Sequence, residues 1–530
     1  MKARISISFF GSLLALLPYS FAQAAGDDAK PVSGGTLKVA VHEAPVCVDP
    51  IQITNFTPLN IARNFAISLT DQDPVTGEVK PWAAERWEVN DNATEYTYHL
   101  RNNITYADGQ KLNAASVKAN LENIRNKIGP KANRPYNYLS YYTGSDIVDD
   151  YTIKIKFSHP AGHFLTAASS AWLALYSDAT LAKSAEERCA GALISAGPFN
   201  LVKYSQLEGA TLQRRDDYAW PSPSSKNQGK PYFEKIEFII APEDNVRTGL
   251  LQSGEVQLIT NVNVADQPSL EASGFVLQAG RNPGTPFGVQ FNVKTPVLSD
   301  VNVRQALLHF IDRQEMIAAL ESPKAIPATG VLVSTVPGAI DQSKDIAYDP
   351  ELSNKLLDEA GWAKRDAAGV RTKDGKPLRI VLSGYGAYRG QAEYIQQAAK
   401  KIGVDLALET IPDGSDIINN ILNPHKFEAI FGNATEADPD VLRSYFGPEQ
   451  RNVPNSNDEW LKKAVIEQLA FSKLQDRFAK IAEIQKHIVD EAYTLPLYPV
   501  TQVLGRDAKL HGALPDVLVR LRLEAAWLEQ

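Results

Sequence analysis

The residues best suited to metal chemistry are two histidines four positions apart, His159 and His163. On a helix this spacing would place both imidazoles on one face, where they could bind a transition metal. Pro160 and Gly162 lie between them, and both residue types disfavour a regular helix. The other histidines are scattered along the chain. We therefore predict no metal site and no cofactor.

Two carboxylate pairs offer a second kind of chemistry, Asp71-Gln72-Asp73 and Asp438-Pro439-Asp440. Carboxylates bind hard cations such as calcium, but they also cap helices and set turns, and we predict this structural role. The sequence contains no nucleophile-elbow, P-loop or zinc-protease motif. It therefore predicts a protein that is not an enzyme, and a secreted hydrolase is the least supported alternative.

The first residues have the pattern of an export signal. Lys2 and Arg4 precede an apolar run over residues 5–17, and Ala22-Gln23-Ala24 is a small-x-small cleavage pattern. Cleavage near Ala24 predicts a soluble, secreted protein of the periplasm. The loss of Lys2 and Arg4 changes the net charge from −8 to −10, and an acidic protein is a poor partner for nucleic acid or anionic lipid.

The hydrophobic periodicity changes repeatedly between strand and helix, which is typical of α/β and mixed α+β folds. A helix is predicted to begin at Asn113 and to end at Gly129, with apolar residues on one face. The predicted strands are 36–41, 95–101, 151–157, 232–240, 378–382 and 404–408. The last two strands flank a helix, and this βαβ pattern favours parallel pairing. The length of 530 residues is enough for about three domains.

Several short blocks, taken together and in order, resemble the solute-binding proteins of the peptide, opine and nickel class of ABC importers. The resemblance extends over nearly the whole chain after the predicted signal peptide. The blocks are Gly34 to Leu37 with Asp49-Pro50, Ala84 to Val89, Tyr96 to Arg101, Tyr106 to Gly109, Ser195 to Phe199, Leu251 to Val256, Phe291-Asn292, Val303 to Leu307 and Ile311 to Arg313. Most of them maintain the fold, so they indicate the scaffold and do not identify the ligand.

This resemblance implies a two-lobed periplasmic-binding-protein fold with an extra inserted domain that closes about a hinge. The implied parts are a discontinuous base lobe of residues 35–69, 191–277 and 491–530, an inserted domain of residues 70–190, and an opposing lobe of residues 278–490. The implied function is capture of a small solute between the lobes by a monomer and its delivery to ABC permease subunits.

The two cysteines, Cys47 and Cys189, are too far apart in sequence for a zinc or redox motif. An even number of cysteines permits a disulfide in an oxidising compartment. We predict a disulfide between them.

The resemblance also implies where the ligand is bound. The candidate residues in the corresponding segments are Thr54, Asn55, Phe56, Tyr136, Tyr138, Tyr385, Tyr388 and Arg389. Each has a structural alternative: Phe56 as a hydrophobic staple for the next helix, the tyrosines as loop aromatics, and Arg389 as a surface residue. If Arg389 does face the ligand, it can bind a carboxylate through two hydrogen bonds.

The last candidate segment is Asn433-Ala434-Thr435-Glu436. In peptide-binding relatives an aspartate four residues before the proline binds the ligand's ammonium group, whereas this chain has Thr435 there and Glu436 beside it. Either Glu436 turns into the cleft and replaces that carboxylate, or the ligand has no free amine at this point. We expect a peptide-like or amino-acid-derived solute, with an opine, a metal chelate or an oligosaccharide as the alternative.

Overall fold

The computed structural model describes residues 30–53, 57–132, 134–384, 386, 388–411, 418–448 and 451–530. The predicted signal peptide, residues 1–24, lies outside the described residues. Within them, three larger sheets and the helices that pack on them make up the architecture. This is the mixed α/β fold that the sequence predicts.

The largest sheet has seven strands, in the order Val276–Arg281, Thr501–Arg506, Leu258–Ile259, Thr36–Val41, Lys235–Ile240, Gly209–Arg214 and Phe199–Ser205. The central strand, Thr36–Val41, pairs in parallel with Lys235–Ile240 over its whole length. Leu37 and Val39 lie in one hydrophobic core and Ala40 lies in another. The central strand is therefore covered on both faces, as is usual for a parallel pair.

A second sheet lies in the inserted region, with strands in the order Ala84–Val89, Glu95–Leu100, Thr152–Phe157 and Tyr142–Asp149. All its neighbouring strands are antiparallel. The helix predicted from Asn113 spans Ala114–Glu122 and continues as a π-helical segment over Asn123–Ile128. Asn113 and Ser116 form a reciprocal capping box, which explains why the helix begins there.

The third sheet has five strands, in the order Asp405–Glu409, Arg379–Ser383, Ala429–Gly432, Phe287–Phe291 and Thr494–Tyr498. The βαβ pattern is confirmed, because the first two of these strands are parallel and flank the helix Arg389–Lys401. Thr494–Tyr498 falls within the predicted base-lobe section 491–530, yet it pairs with Phe287–Phe291. The two large sheets therefore divide near residue 500 and not at residue 491.

The other strands form small sheets: Lys364–Arg365 with Arg371–Lys373 and Lys376–Pro377, Thr70–Gln72 with Val79–Pro81, Leu510–His511 with Trp527–Leu528, and Leu514–Pro515 with Leu521–Arg522. The remaining α-helices before residue 282 are Thr57–Phe65, Arg134–Tyr138, Phe164–Ala167, Asp178–Ala182, Ala185–Cys189, Asp244–Gln252 and Gln267–Ala272. Those after it are Val301–His309, Arg313–Leu320, Pro350–Glu359, Val441–Phe446, Glu459–Glu467 and Leu474–Asp490.

The chain crosses between the two large sheets twice, over residues 282–286 and 499–500. At the crossings the N–H of Asn282 donates a hydrogen bond of 2.9 Å to the carbonyl oxygen of Val500. The apolar side chains form separate cores on the two sides. Two lobes joined by two adjacent crossings have the geometry of a hinge.

Cys47 and Cys189 form the predicted disulfide, with their Cα atoms 4.3 Å apart. Beside it, the carboxylate of Asp49 and the guanidinium of Arg188 form an ion pair of 2.7 Å, and both side chains are fully buried. The hydroxyl of Tyr176 donates to the same carboxylate at 3.0 Å. These contacts attach the segment after the first strand to the end of the inserted region.

We predict that the double variant Cys47→Ser/Cys189→Ser lowers the free energy of unfolding by about 4–5 kcal/mol, because the disulfide closes a long loop in the unfolded chain. Its sequence separation is 142 residues. Urea unfolding followed by circular dichroism measures the change. A reducing agent should destabilise the wild type and leave the double variant unaffected. Equal stability of the oxidised wild type and the double variant would contradict the prediction.

Candidate functional site

A cavity lies between the lobes, where the base lobe, the inserted region and the opposing lobe meet. Its enclosed space is about 30 Å³, enough for one or two water molecules, and about 570 Å³ when space open to solvent is included. The lining side chains are charged, aromatic and aliphatic, and include Leu59, Arg63, Asp71, Tyr138, Trp172, Asp516, Leu518, Arg520, Glu436 and Asp438. The lobes therefore form a closed, charged cleft.

The loop that contributes Glu436 is held by the first lobe crossing. The N–H of Thr285 donates to the carbonyl oxygen of Ala434 at 2.9 Å, and the N–H of Glu436 donates to that of Pro283 at 3.1 Å. Between them, Gly284 has a φ of +113°, and a Cβ there would collide with the carbonyl oxygen of Ala434. A glycine is therefore needed for this close approach.

Glu436 turns into the cleft, which is the first of the two alternatives left by the sequence. Its side chain is buried and lines the cavity. Its ion partner is the Nη1 of Arg134, 3.6 Å from Oε2, and no hydrogen bond from the described residues reaches its carboxylate. Burial raises the pKa of Glu436 to about 7, with Asp438 and Asp440 acting in the same direction and Arg134 opposing them. The neighbouring charges therefore offset only part of the free energy that the carboxylate loses when it leaves water.

Arg134 connects the inserted region with this loop of the opposing lobe. Its guanidinium stacks over Trp172, with Cζ 4.4 Å from the ring centre. Its Nη1 donates to the carbonyl oxygen of Thr435 at 3.0 Å. Thr435 is buried, so the main chain of Thr435 takes part in closing the cleft. The sequence interpretation did not include Arg134.

Of the two inserted-region tyrosines, only Tyr138 lines the cavity. Burial raises the pKa of Tyr138, and the charge of Glu436 raises it further. Tyr136 instead packs against Arg125, whose Cζ lies 4.1 Å from the ring centre. The structure thus brings Tyr138 and Glu436 to the same cavity.

The other described candidates are not among the residues that line the cavity. Tyr388 packs against Phe287, with ring centres 4.5 Å apart. Arg389 forms an ion pair of 2.9 Å with Glu393, and its side chain is 73% exposed. Asn433 is half-buried at the end of a strand. Thr54, Asn55, Phe56 and Tyr385 lie outside the described residues.

Asp71 does not have the capping role that the sequence suggested. It lies in the strand Thr70–Gln72, and its carboxylate pairs with Arg63 at 2.8 Å and with Arg522 at 3.3 Å. Burial alone would raise the pKa of Asp71, but the two guanidinium groups outweigh burial and hold it below its usual value. Asp73 does set a turn, accepting hydrogen bonds from Val75 and Thr76.

Asp438 sets a turn, as predicted, since its Oδ1 accepts a hydrogen bond of 2.8 Å from the N–H of Asp440. Both Asp438 and Asp440 are also ion-pair partners. Asp438 pairs with the buried Arg477 at 2.5 Å, and Asp440 pairs with Arg443 at 2.6 Å. Asp440 lies at the N-terminus of the helix Val441–Phe446, but its side chain makes no capping hydrogen bond. Both carboxylates are therefore fully engaged within the opposing lobe, unlike Glu436.

Arg520 is a second site residue that the sequence interpretation missed. It lines the cavity, and its Nη2 donates to the Oδ1 of the hinge residue Asn282 at 3.3 Å. Burial lowers the pKa of Arg520 to about 10, which the nearby Asp516 only partly opposes. Glu436 and Arg520 thus present opposite charges to one cavity from different lobes.

Two lobes that close over a charged cleft define a solute-binding protein of the hinge-closing class. Residues 78–494 match the model of the bacterial extracellular solute-binding proteins, family 5 Middle. The match covers more than half of the chain, and the chain belongs to this family.

Several curated relatives bind different solutes. The dipeptide-binding protein of Escherichia coli strain K12 is 26% identical over 437 residues, 78% of each chain. Heme-binding protein A of Haemophilus influenzae is 25% identical over 360 residues, 63% of each chain. The glutathione-binding protein GsiB of Salmonella choleraesuis is 28% identical over 332 residues, 61% of each chain. The match therefore spans less than two thirds of the last two relatives.

The fold is also that of solved structures. NikA from Brucella suis in complex with Fe(III)-EDTA has a TM-score of 0.79 and 23% identity, covering 93% of this chain and 100% of that chain. AppA from Bacillus subtilis in complex with a nonapeptide has a TM-score of 0.72 and 21% identity, covering 94% and 100%. These likenesses confirm the predicted two-lobed fold.

The chain is thus the substrate-binding component of an ABC importer. Proteins of this family are periplasmic or extracellular, bind small solutes and work with ABC permeases. Among the helices that the structure describes, none combines the length and hydrophobicity of a membrane span.

We predict a pH dependence of stability that comes from Glu436. Because its pKa rises from an ordinary 4.5 to about 7 on folding, its contribution to stability is fully present below pH 4.5. This contribution is lost as the pH rises through 7, and it amounts to up to about 3 kcal/mol. The free energy of unfolding of the ligand-free wild type should therefore fall relative to that of Glu436→Gln across this window.

Urea unfolding at pH 5, 6, 7 and 8 measures this difference. The exposed Glu85 provides the matched control, because Glu85→Gln changes the same chemical group outside the cleft. A difference between wild type and Glu436→Gln that does not vary with pH would contradict the burial of Glu436 in the ligand-free protein.

Proposed function

We propose that this protein captures an amino-acid-derived solute that carries both an ammonium and a carboxylate group, and that it releases the solute unchanged to its permease. The observation that carries the proposal is that Glu436 and Arg520, which have opposite charges, line one cavity. Glu436 would bind the ammonium group, and Arg520 would bind the carboxylate.

The physical argument is the incomplete compensation of Glu436, whose ion partner Arg134 lies 3.6 Å away. Burial raises the pKa of Glu436 towards its neutral form, because Arg134 only partly offsets the loss of water. Arg520 lines the same cavity, where its guanidinium bonds to Leu518 and Asn282. A zwitterionic solute would supply an opposite charge to each, and charge-assisted hydrogen bonds are stronger than neutral ones. Such a solute needs more room than the enclosed 30 Å³, so the lobes would lie further apart around it than they do in this structure. That solute-bound form would be favoured by contacts that only the solute makes.

The names of the relatives support a solute of this kind without identifying it. A dipeptide and glutathione both contain an ammonium and carboxylate groups, and they are the solutes named for two relatives. Thr435 replaces the aspartate of peptide-binding relatives, so Glu436 would bind the ammonium from a different position. The alternative solutes are an opine, a metal chelate or an oligosaccharide, which need no ammonium at Glu436.

Binding without turnover, a monomeric state and cleavage near Ala24 complete the proposal. Mass spectrometry of the protein, purified gently from the periplasm, tests these points together. We expect one solute of unchanged mass, a monomer, and an N-terminus near residue 25. A solute without an amine would favour the alternative.

We predict that Glu436→Gln weakens binding of an amine-bearing solute by about 2–5 kcal/mol, because it leaves the solute's ammonium buried without a counter-charge. Isothermal titration calorimetry with a dipeptide panel and the N-acetylated form of each peptide measures the effect. The N-acetylated forms should bind weakly to both proteins and be insensitive to the substitution. Equal binding of free and acetylated forms would contradict the assignment of Glu436.

We also predict that the bound solute stabilises the native state and keeps the lobes closed. At about 100 times its dissociation constant, a solute that binds only the native state adds roughly 2.7 kcal/mol. Thermal unfolding with and without solute measures the gain, and Glu85→Gln should behave as the wild type does. A solute that leaves the melting temperature unchanged at this concentration is not the ligand.

A further inference from the structure

Gly162 lies at the edge of the inserted region, where that region meets the opposing lobe. It follows the strand Thr152–Phe157 and precedes the helix Phe164–Ala167. Its neighbour Ala161 is fixed inside the inserted region, because its N–H donates to the carbonyl oxygen of Ala93 at 2.9 Å. The main chain at Gly162 is therefore held in place from within its own lobe.

Both main-chain polar groups of Gly162 bond to the opposing lobe. Its N–H donates to the carbonyl oxygen of Leu469 at 2.9 Å. Its carbonyl oxygen accepts a hydrogen bond of 3.1 Å from the Nη1 of Arg477. Leu469 lies in the 3-10 turn Gln468–Ala470, just before the long helix that contains Arg477.

Arg477 also holds the loop that lines the cavity. Its guanidinium bonds both carboxylate oxygens of Asp438, at 2.5 and 3.0 Å. Its Nε donates to the side-chain oxygen of Gln468 at 2.8 Å, and the amide of Gln468 donates to Asp440 at 2.5 Å. We call residues 433–440, the loop that lines the cavity, the ligand loop. The contact at Gly162 is thus linked to the ligand loop through buried side chains.

The contact requires the absence of a side chain at position 162. A Cβ on Gly162 would lie 2.8 Å from the carbonyl oxygen of Leu469 and 3.3 Å from its carbonyl carbon. Gly162 is not among the glycines with positive φ, so its backbone conformation is open to other residues. An alanine at position 162 would therefore obstruct the closed contact without straining its own lobe.

We propose that Gly162, Leu469 and Arg477 form an interlobe latch, which stabilises the closed form without touching the solute. Arg477 is its positioning residue, since it fixes Asp438 of the ligand loop and binds the facing lobe with the same guanidinium. The latch goes beyond the proposed solute, because it acts whichever solute is bound.

Opening the latch leaves no unpaired charge. Arg477 keeps Asp438 as its partner when the lobes separate, and water can bond to the N–H and carbonyl groups of Gly162 and Leu469. The latch is therefore reversible and of modest strength. It would give the ligand-free protein a closed population.

The variant Gly162→Ala tests the latch, with Gly249→Ala as its matched control. Gly249 is an exposed helical glycine, and a Cβ there meets nothing within 4 Å. Fluorescence energy transfer between dyes on unnatural amino acids at the exposed positions 85 and 351 reports lobe closure without any ligand. We expect Gly162→Ala to lower the closed-to-open ratio about tenfold, as for the loss of two hydrogen bonds, and Gly249→Ala to leave it unchanged.

Hydrogen exchange of the ligand-free wild type provides a second measurement that needs no variant. The amide of Gly162 should be protected from exchange by the latch, and the amide of Ala161, bonded inside its own lobe, serves as an internal reference. Fast exchange at Gly162 with protection at Ala161 would overturn the proposal, as would an unchanged closed-to-open ratio in Gly162→Ala. Neither measurement depends on Glu436, so the latch and the proposed solute succeed or fail separately.

Discussion

The hydrogen bonds between the first lobe crossing and the loop after the strand Ala429–Gly432 are the interaction on which the site depends. They join Thr285 to Ala434 and Glu436 to Pro283. These hydrogen bonds hold the start of the ligand loop at the hinge. Atoms at the hinge move least when the lobes rotate. The same loop then extends through Glu436 to Asp438, so a single segment connects the hinge, the cavity and the long helix of Arg477.

The buried carboxylates in this region differ in how completely neighbouring charges compensate them. Asp71, Asp438 and Asp440 each have a guanidinium partner within 2.8 Å. Among the described residues, the ion partner of Glu436 is Arg134, at 3.6 Å. A buried ion pair with good geometry largely offsets the cost of its desolvation, whereas a poorly paired carboxylate does not. Of these four carboxylates, Glu436 therefore has the least compensation for its loss of water.

Closure of the two lobes is a balance between contacts of the protein with itself and contacts with the solute. Arg134 and Gly162 both form hydrogen bonds across the lobe interface. A solute favours the closed form only to the extent that it binds this form more tightly than the open form. Strong contacts within the protein would make closure insensitive to the solute. A modest latch beside the weakly paired carboxylate of Glu436 therefore suits a receptor that must also release its solute.

Much of the fold followed from local signals in the sequence. The strand at 36–41 and the helix from Asn113 follow from periodicity and from capping residues. The parallel βαβ unit follows from the order of its elements. The boundary at residue 491 was wrong because Thr494–Tyr498 is apolar throughout, and a buried strand has the same pattern in either sheet.

The candidate site depended on the tertiary structure to a greater degree. The sequence predicted Glu436 as a ligand-binding residue but left its direction open, and it gave no signal for Arg134, Arg520 or Gly162. Arg134 and Thr435 are 301 positions apart, and Gly162 and Arg477 are 315 apart. Periodicity and capping arise from neighbours within one or two turns of the chain, whereas the burial of a charge between two lobes is decided only when those lobes meet.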